Sequence, residues 1–157
     1  MHHGDVLTSE RVACEARAES RKHALELLSE LLAHSPTHLS PAEIYRILNE
    51  REMLGSTCLG QGAALPHGND PELTEPVAAM LVLEEPIDFD SGDKGPVQTV
   101  VGLLLPAGED RSLLTRFRSI LKDPGRLRQL QDCEDADALV RVVNGWVDDA
   151  DTTPAAG

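Results

Sequence analysis

Two long apolar runs, close together in the chain, place the strictest limit on its fold. Residues 77–83 (VAAMLVL) and 97–105 (VQTVVGLLL) are almost free of polar side chains. Such near-continuous runs are typical of central strands that are covered on both faces. They are far shorter than the ~20 residues that a membrane-spanning helix needs. The runs therefore predict a buried sheet and no insertion into a membrane.

Helical patterns surround these two strands. Alternation at 11–17 predicts a half-buried strand, Ser20 is expected to cap a helix that ends before Pro36, and residues 40–43 (SPAE) form a capping box. Three further amphipathic helices are predicted after the second apolar run, beginning at Asp110, Asp123 and Asp135. Helices that precede and follow buried strands predict an α/β layer structure with helices on both sides of the sheet.

The chain is expected to form one domain. Residues 1–148 contain all of the periodic segments, and residues 149–157 are expected to be an acidic, flexible tail. The segment at 84–96, between the two apolar runs, is rich in turn-forming residues and is expected at the surface.

Charge and composition exclude several classes of function. With 14 basic and 27 acidic residues the net charge is −13, which would repel nucleic acids and anionic membranes. Only four aromatic residues are present, too few to build a stacking platform for bases or sugars. Three cysteines without a CxxC spacing, and an N-terminus without the pattern of a secretory signal, favour the reducing cytoplasm.

The segment 55–68 (GSTCLGQGAALPHG) has the composition of a site rather than of a core element. His67 is expected in a loop directly after a short strand, where Gly68 would leave the side beyond the imidazole open to a partner. A P-loop, a dinucleotide fingerprint and the nucleophile elbow of serine hydrolases are all missing. What remains is a histidine that acts as the nucleophile itself, since a neutral imidazole can attack phosphorus.

A phosphoryl group on His67 would need hydrogen-bond donors or a cation beside it. Arg51 is the best candidate for that cation, and the hydroxyls of Ser56 and Thr57 are lesser candidates. The other histidines lack ligand partners at a suitable spacing, so neither a metal site nor a cofactor is expected.

Four segments closely resemble the type-2 enzyme IIA domain of the bacterial phosphotransferase system. They are 51–57 (REMLGST), 60–68 (GQGAALPHG), 86–90 (PIDFD) and 103–107 (LLLPA). Within that family the chain most resembles the nitrogen-regulatory enzyme IIA. The resemblance implies a mixed sheet flanked by helices and a phosphoryl group carried on Nε2 of His67. It also implies that Arg51 is the active-site arginine and that a phosphorylated, histidine-containing carrier of the HPr type is the donor.

The chain departs from the family pattern at two places. Leu113 stands where members usually have a second histidine, and Asn69 and Asp70 follow the Pro-His-Gly motif where a basic residue is common. Both changes remove possible support for the phosphoryl group, and an inward-facing Asp70 would repel it.

Three functions fit these features. The leading hypothesis is a cytoplasmic regulatory phosphocarrier whose phosphorylation state selects its target proteins. The alternatives are a sugar-specific enzyme IIA of the fructose or mannitol type, which passes phosphate to a permease domain, and a non-catalytic protein-binding module.

Overall fold

Six strands and five α-helices make up the described part of the chain. The structure is a computed structural model that describes residues 6–90, 92–108, 111–132 and 134–152, with the backbone alone for 149–152. The strands are β1 (Val12–Ala16), β2 (Cys58–Gly60), β3 (Ala63–Ala64), β4 (His67–Asn69), β5 (Val77–Ile87) and β6 (Val97–Leu105). The helices are α1 (Arg21–Leu32), α2 (Pro41–Leu54), α3 (Ser112–Leu121), α4 (Pro124–Gln131) and α5 (Ala136–Thr152). Single 3-10 turns occur at Ser9–Arg11 and Gly92–Lys94.

The six strands form one mixed sheet with β6 near its centre. The strand order is β1-β5-β6-β3-β2, and β4 also pairs with β6. β5 and β6 are antiparallel, whereas β3 and β4 both run parallel to β6 along its other edge. The two apolar runs of the sequence are therefore neighbouring strands, and the second of them holds β4 in place.

Side chains of the two central strands alternate between two cores. In β6, Val101, Leu103 and Leu105 face the core that α3, α4 and α5 cover, while Val100 and Leu104 face the core that α1 and α2 cover. Since successive side chains of a strand point to opposite faces, a strand buried on both faces must be apolar throughout. The predicted α/β fold, with helices on both faces of a mixed sheet, is confirmed.

Most helix starts follow the predicted capping chemistry. The Oγ of Ser40 accepts a hydrogen bond from the Glu43 amide at 3.2 Å, and the Glu43 carboxylate accepts one from the Ser40 amide at 3.2 Å, which completes the capping box. The side chains of Ser20 and Asp123 cap α1 and α4 by accepting hydrogen bonds from the amides of His23 and Gly125, without the reciprocal bond of a capping box. The predicted cap at Asp110 lies outside the described residues, and α3 begins at Ser112.

Two boundaries differ from the sequence prediction. The segment 84–96 is not entirely a surface turn, because β5 continues to Ile87, which pairs with Val97, and Phe89 is completely buried. At the other end, α5 runs to Thr152, so the first four residues of the predicted tail are helical, and 153–157 lie outside the described residues.

Candidate functional site

His67 is the first residue of β4, at the point where that strand joins the centre of the sheet. Its Cα is in register with that of Leu103 in β6, and the carbonyl of Pro66 accepts a hydrogen bond from the Leu103 amide at 3.0 Å. The sequence analysis expected His67 in a loop. The structure instead places it in a strand of the sheet. Its backbone is fixed by the central strand.

Gly68 allows α2 to pack directly against β4. A Cβ at residue 68 would lie 2.2 Å from Cγ2 of Ile47, closer than any non-bonded carbon contact. The expectation that this glycine leaves room for a partner is wrong, because the space beside it is filled by Ile47. The glycine instead brings α2 alongside the histidine, so that Arg51 at the end of this helix reaches the same region.

The His67 ring is mostly buried and one of its nitrogens is already engaged. The residue is 7% exposed, and Nδ1 lies 2.8 Å from the carbonyl oxygen of Leu65. A carbonyl only accepts, so Nδ1 carries the proton and Nε2 keeps its lone pair when the ring is neutral.

Burial also keeps this ring neutral. The pKa of His67 is lowered from its usual 6.5 chiefly because burial disfavours the charged form. The hydrogen bond to Leu65 acts in the opposite direction, and the positive charges of Arg51, Arg111 and Arg118 lower the pKa further. Near neutral pH the ring is therefore a neutral imidazole whose Nε2 is unprotonated.

The turn between α2 and β2 is held by a buried carboxylate. Glu52 is 3% exposed and accepts two hydrogen bonds from Thr57, one from its amide at 2.9 Å and one from its hydroxyl at 2.7 Å. Arg51 donates to the carbonyl of Gly55 at 2.9 Å. The hydroxyl proton of Thr57 is thus directed to Glu52, and Thr57 serves the turn rather than the cleft as a donor.

Ser56 has a different position. It is exposed, and its Oγ accepts a hydrogen bond from the Cys58 amide at 3.1 Å. That bond orients the oxygen but does not use its proton, so Ser56 can still donate to a bound anion.

The predicted site residues come together in one small cleft. His67, Arg51, Ser56 and Thr57 all line a polar cavity of about 270 Å³. The remaining walls are contributed by residues 58, 59 and 65 and by three cations that the sequence reasoning missed: Lys94, Arg118 and Lys122. No carboxylate of the described residues lines this cleft.

The three missed cations come from parts of the chain distant from the histidine motif. Lys94 belongs to the 3-10 turn before β6, and its Nζ donates to the carbonyl of Cys58 at 3.0 Å. Arg118 lies in the last turn of α3, and Lys122 is the C-cap of that helix. The spacing of Arg118 and Lys122, four residues apart on a helix, was the one signal in the sequence that would place them on a common face.

The two departures from the family pattern do not place a negative charge in the cleft. Asp70 is 1% exposed, and its carboxylate accepts hydrogen bonds from the Thr37 hydroxyl at 2.6 Å and from the Glu72 amide at 3.1 Å. Asn69 donates to the carbonyl of Pro106 at 3.2 Å. Leu113 is buried in the core beneath α3 and contributes no donor.

The described residues form neither a cluster of metal ligands nor a membrane-spanning helix. No group of three or more His, Cys, Asp or Glu side chains there is arranged to hold a metal ion. In that same part of the chain, no helix combines the length and the apolar character needed to cross a membrane.

Comparison with known proteins relates this geometry to a family. Residues 5–145 match the sequence profile of the family described as the phosphoenolpyruvate-dependent sugar phosphotransferase system, EIIA 2. A nitrogen regulatory protein of Bradyrhizobium diazoefficiens is 34% identical over 142 residues, which cover 88% of this chain and 92% of that protein. The crystal structure of the nitrogen regulatory protein IIA-Ntr from Neisseria meningitidis superposes with a TM-score of 0.81 at 28% identity, covering 92% of this chain and 97% of that one.

A sugar-specific protein is also among the relatives. The 2-O-alpha-mannosyl-D-glycerate-specific EIIABC component of Escherichia coli K12 is 34% identical over 162 residues, covering 96% of this chain but 23% of that longer protein. The expected family and its nitrogen-regulatory branch are both confirmed by these matches. The chain belongs to the type-2 EIIA family of the phosphoenolpyruvate-dependent phosphotransferase system.

Proposed function

We propose that this chain is a regulatory phosphocarrier of the cytoplasm. His67 accepts a phosphoryl group from a phosphorylated carrier of the HPr type, and the phosphorylation state determines which target proteins are bound. The observation that carries the proposal is the buried, neutral imidazole of His67, held through Nδ1 and placed in a cleft lined by cations. The nitrogen regulatory proteins among its relatives support the regulatory role.

The chemistry follows from the protonation of the ring. The lone pair of Nε2 attacks phosphorus and forms a new N–P bond, while the N–P bond of the donor histidine breaks and its electron pair returns to the donor ring. The proton on Nδ1 stays in place, so the phosphorylated ring takes on imidazolium character. The carbonyl of Leu65, 2.8 Å from Nδ1, stabilises that positive charge. No general base is needed.

Arg51 and Ser56 would hold the phosphoryl oxygens. Both line the cleft with His67, and the Arg51 guanidinium is positioned by its hydrogen bond to Gly55. Thr57 acts through the shape of the turn, because its hydroxyl is bound to Glu52. Removal of one such donor typically slows a transfer step by ~10²-fold, so Arg51→Gln should transfer slowly without losing its fold.

A reconstituted phosphorylation assay tests the proposal. The protein is incubated with phosphoenolpyruvate, enzyme I and an HPr-type carrier, and phosphorus NMR then reports whether phosphate is taken up and which ring nitrogen carries it. We expect one acid-labile phosphohistidine on Nε2 of His67 and none in His67→Ala. His38→Ala, which changes an exposed imidazole outside the cleft, is the matched control and should be phosphorylated normally. The proposal fails if the wild type takes up no phosphate or if His67→Ala still does.

The regulatory part has its own readout. A phosphoryl group adds nearly two negative charges to a cleft that is otherwise positive, so a surface complementary to one state would be repelled by the other. A partner captured from a cell extract should therefore bind only one of the two forms, either the unphosphorylated or the phosphorylated protein. Identical capture by both states would favour the non-catalytic binding module instead.

The sugar-specific alternative remains a second candidate because of the EIIABC relative. It predicts that the phosphorylated protein passes its phosphoryl group to an EIIB domain of the fructose or mannitol type. Rapid and complete transfer to such a domain would favour this alternative, while a stable phosphoprotein in its presence would favour the regulatory role.

A further inference from the structure

The positive charges of this acidic protein are concentrated in an unusual way. The chain has 14 basic residues against 27 acidic ones, yet the cleft at His67 is lined by four cations. Three other clefts of the described residues each contain at least two carboxylates. The His67 cleft thus differs in the sign of its charge from these other concave surfaces.

These cations converge through the tertiary fold and not through local sequence. Arg51 arrives from the end of α2, Lys94 from the turn before β6, and Arg118 with Lys122 from the end of α3. The position of Arg118 and Lys122 at a helix C-terminus is itself favourable, since cations stabilise that end of the helix dipole. The helix dipole explains why two cations lie at the C-terminal end of α3. It does not explain why Lys94 and Arg51 line the same cleft as these two cations.

In the part of the chain that the structure describes, no carboxylate forms an ion pair with a cation of this cleft. Within 6–90, 92–108, 111–132 and 134–152, ion pairs join Arg17 to Glu84, Arg21 to Asp90 and Arg126 to Asp123, and none of them includes a cation of the cleft. Lys94 is held in place by the Cys58 carbonyl, a neutral acceptor. Like charges gathered in one small cleft raise each other's energy unless an anion is bound among them.

We propose that Lys94, Arg118 and Lys122 form, together with Arg51, a binding site for a tetrahedral phosphate-type dianion beside His67. Leu113 offers no donor, so α3 contributes to this site through its last turn. The cleft has a volume of about 270 Å³, and no Phe, Tyr or Trp among the described residues lines it, which suits a bare phosphate group and not a nucleotide. We call these four cations the cation cradle.

The dianion has two possible sources. One is the phosphoryl group of phosphorylated His67, and in that form the inference rests on the proposed function. The other is free inorganic phosphate bound to the unphosphorylated protein, which does not depend on it. Free phosphate would then occupy the position of the incoming phosphoryl group and compete with its transfer.

A titration with inorganic phosphate tests the cradle in the unphosphorylated protein. The ring resonances of His67 are followed by NMR at constant ionic strength, with chloride as the balancing anion. We expect a saturable shift with phosphate and none with chloride. Lys94→Gln and Arg118→Gln should each weaken the apparent affinity by roughly three- to tenfold, as expected for one charge-assisted contact near the surface.

Matched controls separate the cradle from the effect of net charge. Lys22→Gln and Arg141→Gln each remove one positive charge from exposed side chains on α1 and α5, outside the cleft. They should change the affinity by less than about twofold because exposed distant charges are screened by salt. The inference is overturned if the cradle variants and the controls behave alike, or if chloride reproduces the shift.

The phosphorylation assay distinguishes the two proposals. If the wild type binds phosphate through the cradle but takes up no phosphoryl group, the proposed function fails and the cradle stands. If it is phosphorylated on His67 while Lys94→Gln and Arg118→Gln bind free phosphate and retain the phosphohistidine as the wild type does, the proposed function stands and the cradle fails.

Discussion

The contact between Gly68 and Ile47 offers a direct test of how the fold positions the histidine. In Gly68→Ala the new Cβ would lie 2.2 Å from Cγ2 of Ile47. Ile47 is β-branched and lies within α2, where one χ1 rotamer is strongly preferred, so the methyl group cannot easily rotate away. The helix and β4 would have to move apart, and His67 would move with the strand.

The expected cost follows from two opposing terms. Forcing an extra methyl group into a packed contact typically costs about 1–3 kcal/mol. The substitution also reduces the freedom of the unfolded chain, which stabilises the protein by about 0.4–1 kcal/mol where the backbone suits alanine. Because φ of Gly68 is not in the left-handed region, this gain applies, and at the midpoints of the two ranges the net loss of unfolding free energy is about 1.3 kcal/mol.

Urea denaturation, monitored by circular dichroism, measures this loss of unfolding free energy. Gly55→Ala is the control. A Cβ at Gly55 would meet nothing within 4 Å, and its φ of 166° is extended backbone open to any residue. Gly55→Ala should therefore be neutral or slightly stabilising. In the double variant Ile47→Ala with Gly68→Ala, the loss should be smaller than the sum of the two single losses, because the clashing methyl group is gone.

Two results would refute this reasoning. Equal stability of Gly68→Ala and Gly55→Ala would mean that α2 does not lie as close to β4 as described. Strict additivity in the double variant would mean that Ile47 is not the group displaced. Where the reasoning holds, Gly68→Ala should also slow phosphorylation of His67, and the second substitution should restore part of the rate.

Three other predictions follow from the site. The pKa of His67 in the folded protein lies below the 6.5 of the unfolded chain, so the unfolded chain binds more protons at pH values between the two. The free energy of unfolding should therefore fall as the pH drops through that range. Urea denaturation should show this fall in the wild type and not in His67→Gln. Glu52→Gln replaces one of the two carboxylate oxygens that accept hydrogen bonds from Thr57 by an amide donor, which should lower the free energy of unfolding by about 1–3 kcal/mol in the same assay. Thr57→Val, added to Glu52→Gln, should lower it little further, and full additivity of the two losses would contradict the shared contact. Asp70→Asn should destabilise the protein by ~1 kcal/mol through its bond with Thr37 yet leave the rate of phosphorylation unchanged; a faster rate would show that the carboxylate acts on the cleft.

The sequence predicts the elements of this fold well where the signal is local. The two apolar runs became β5 and β6, and the capping box began α2 at the expected residue, because strand burial and helix capping are decided within a few residues. The burial of Phe89 was missed, since a turn-rich segment gives no indication of which side chain the core will accept.

In the site too, the sequence predicts the residues of a local motif but not the contacts that the tertiary fold creates. The motif located His67, Arg51, Ser56 and Thr57, all of which line the cleft. The sequence could not reveal that the Thr57 proton is used by Glu52. Nor could it predict the convergence of Lys94 and Arg118, which are separated by the whole of β6 and most of α3 and meet only after the sheet has formed.

The pairing of β4 with β6 has a consequence for the motions of the site. β6 is flanked by strands on both edges and covered by helices on both faces, so its amides should exchange with solvent only when the whole domain unfolds. The backbone of His67 should be equally rigid because it pairs in register with Leu103 of β6. Arg118 and Lys122, by contrast, are exposed side chains that can reorient within nanoseconds. A change of phosphorylation state can therefore be transmitted to a partner by rearranged charges on an unchanged backbone, and hydrogen exchange in the two states should be nearly the same across β4 and β6.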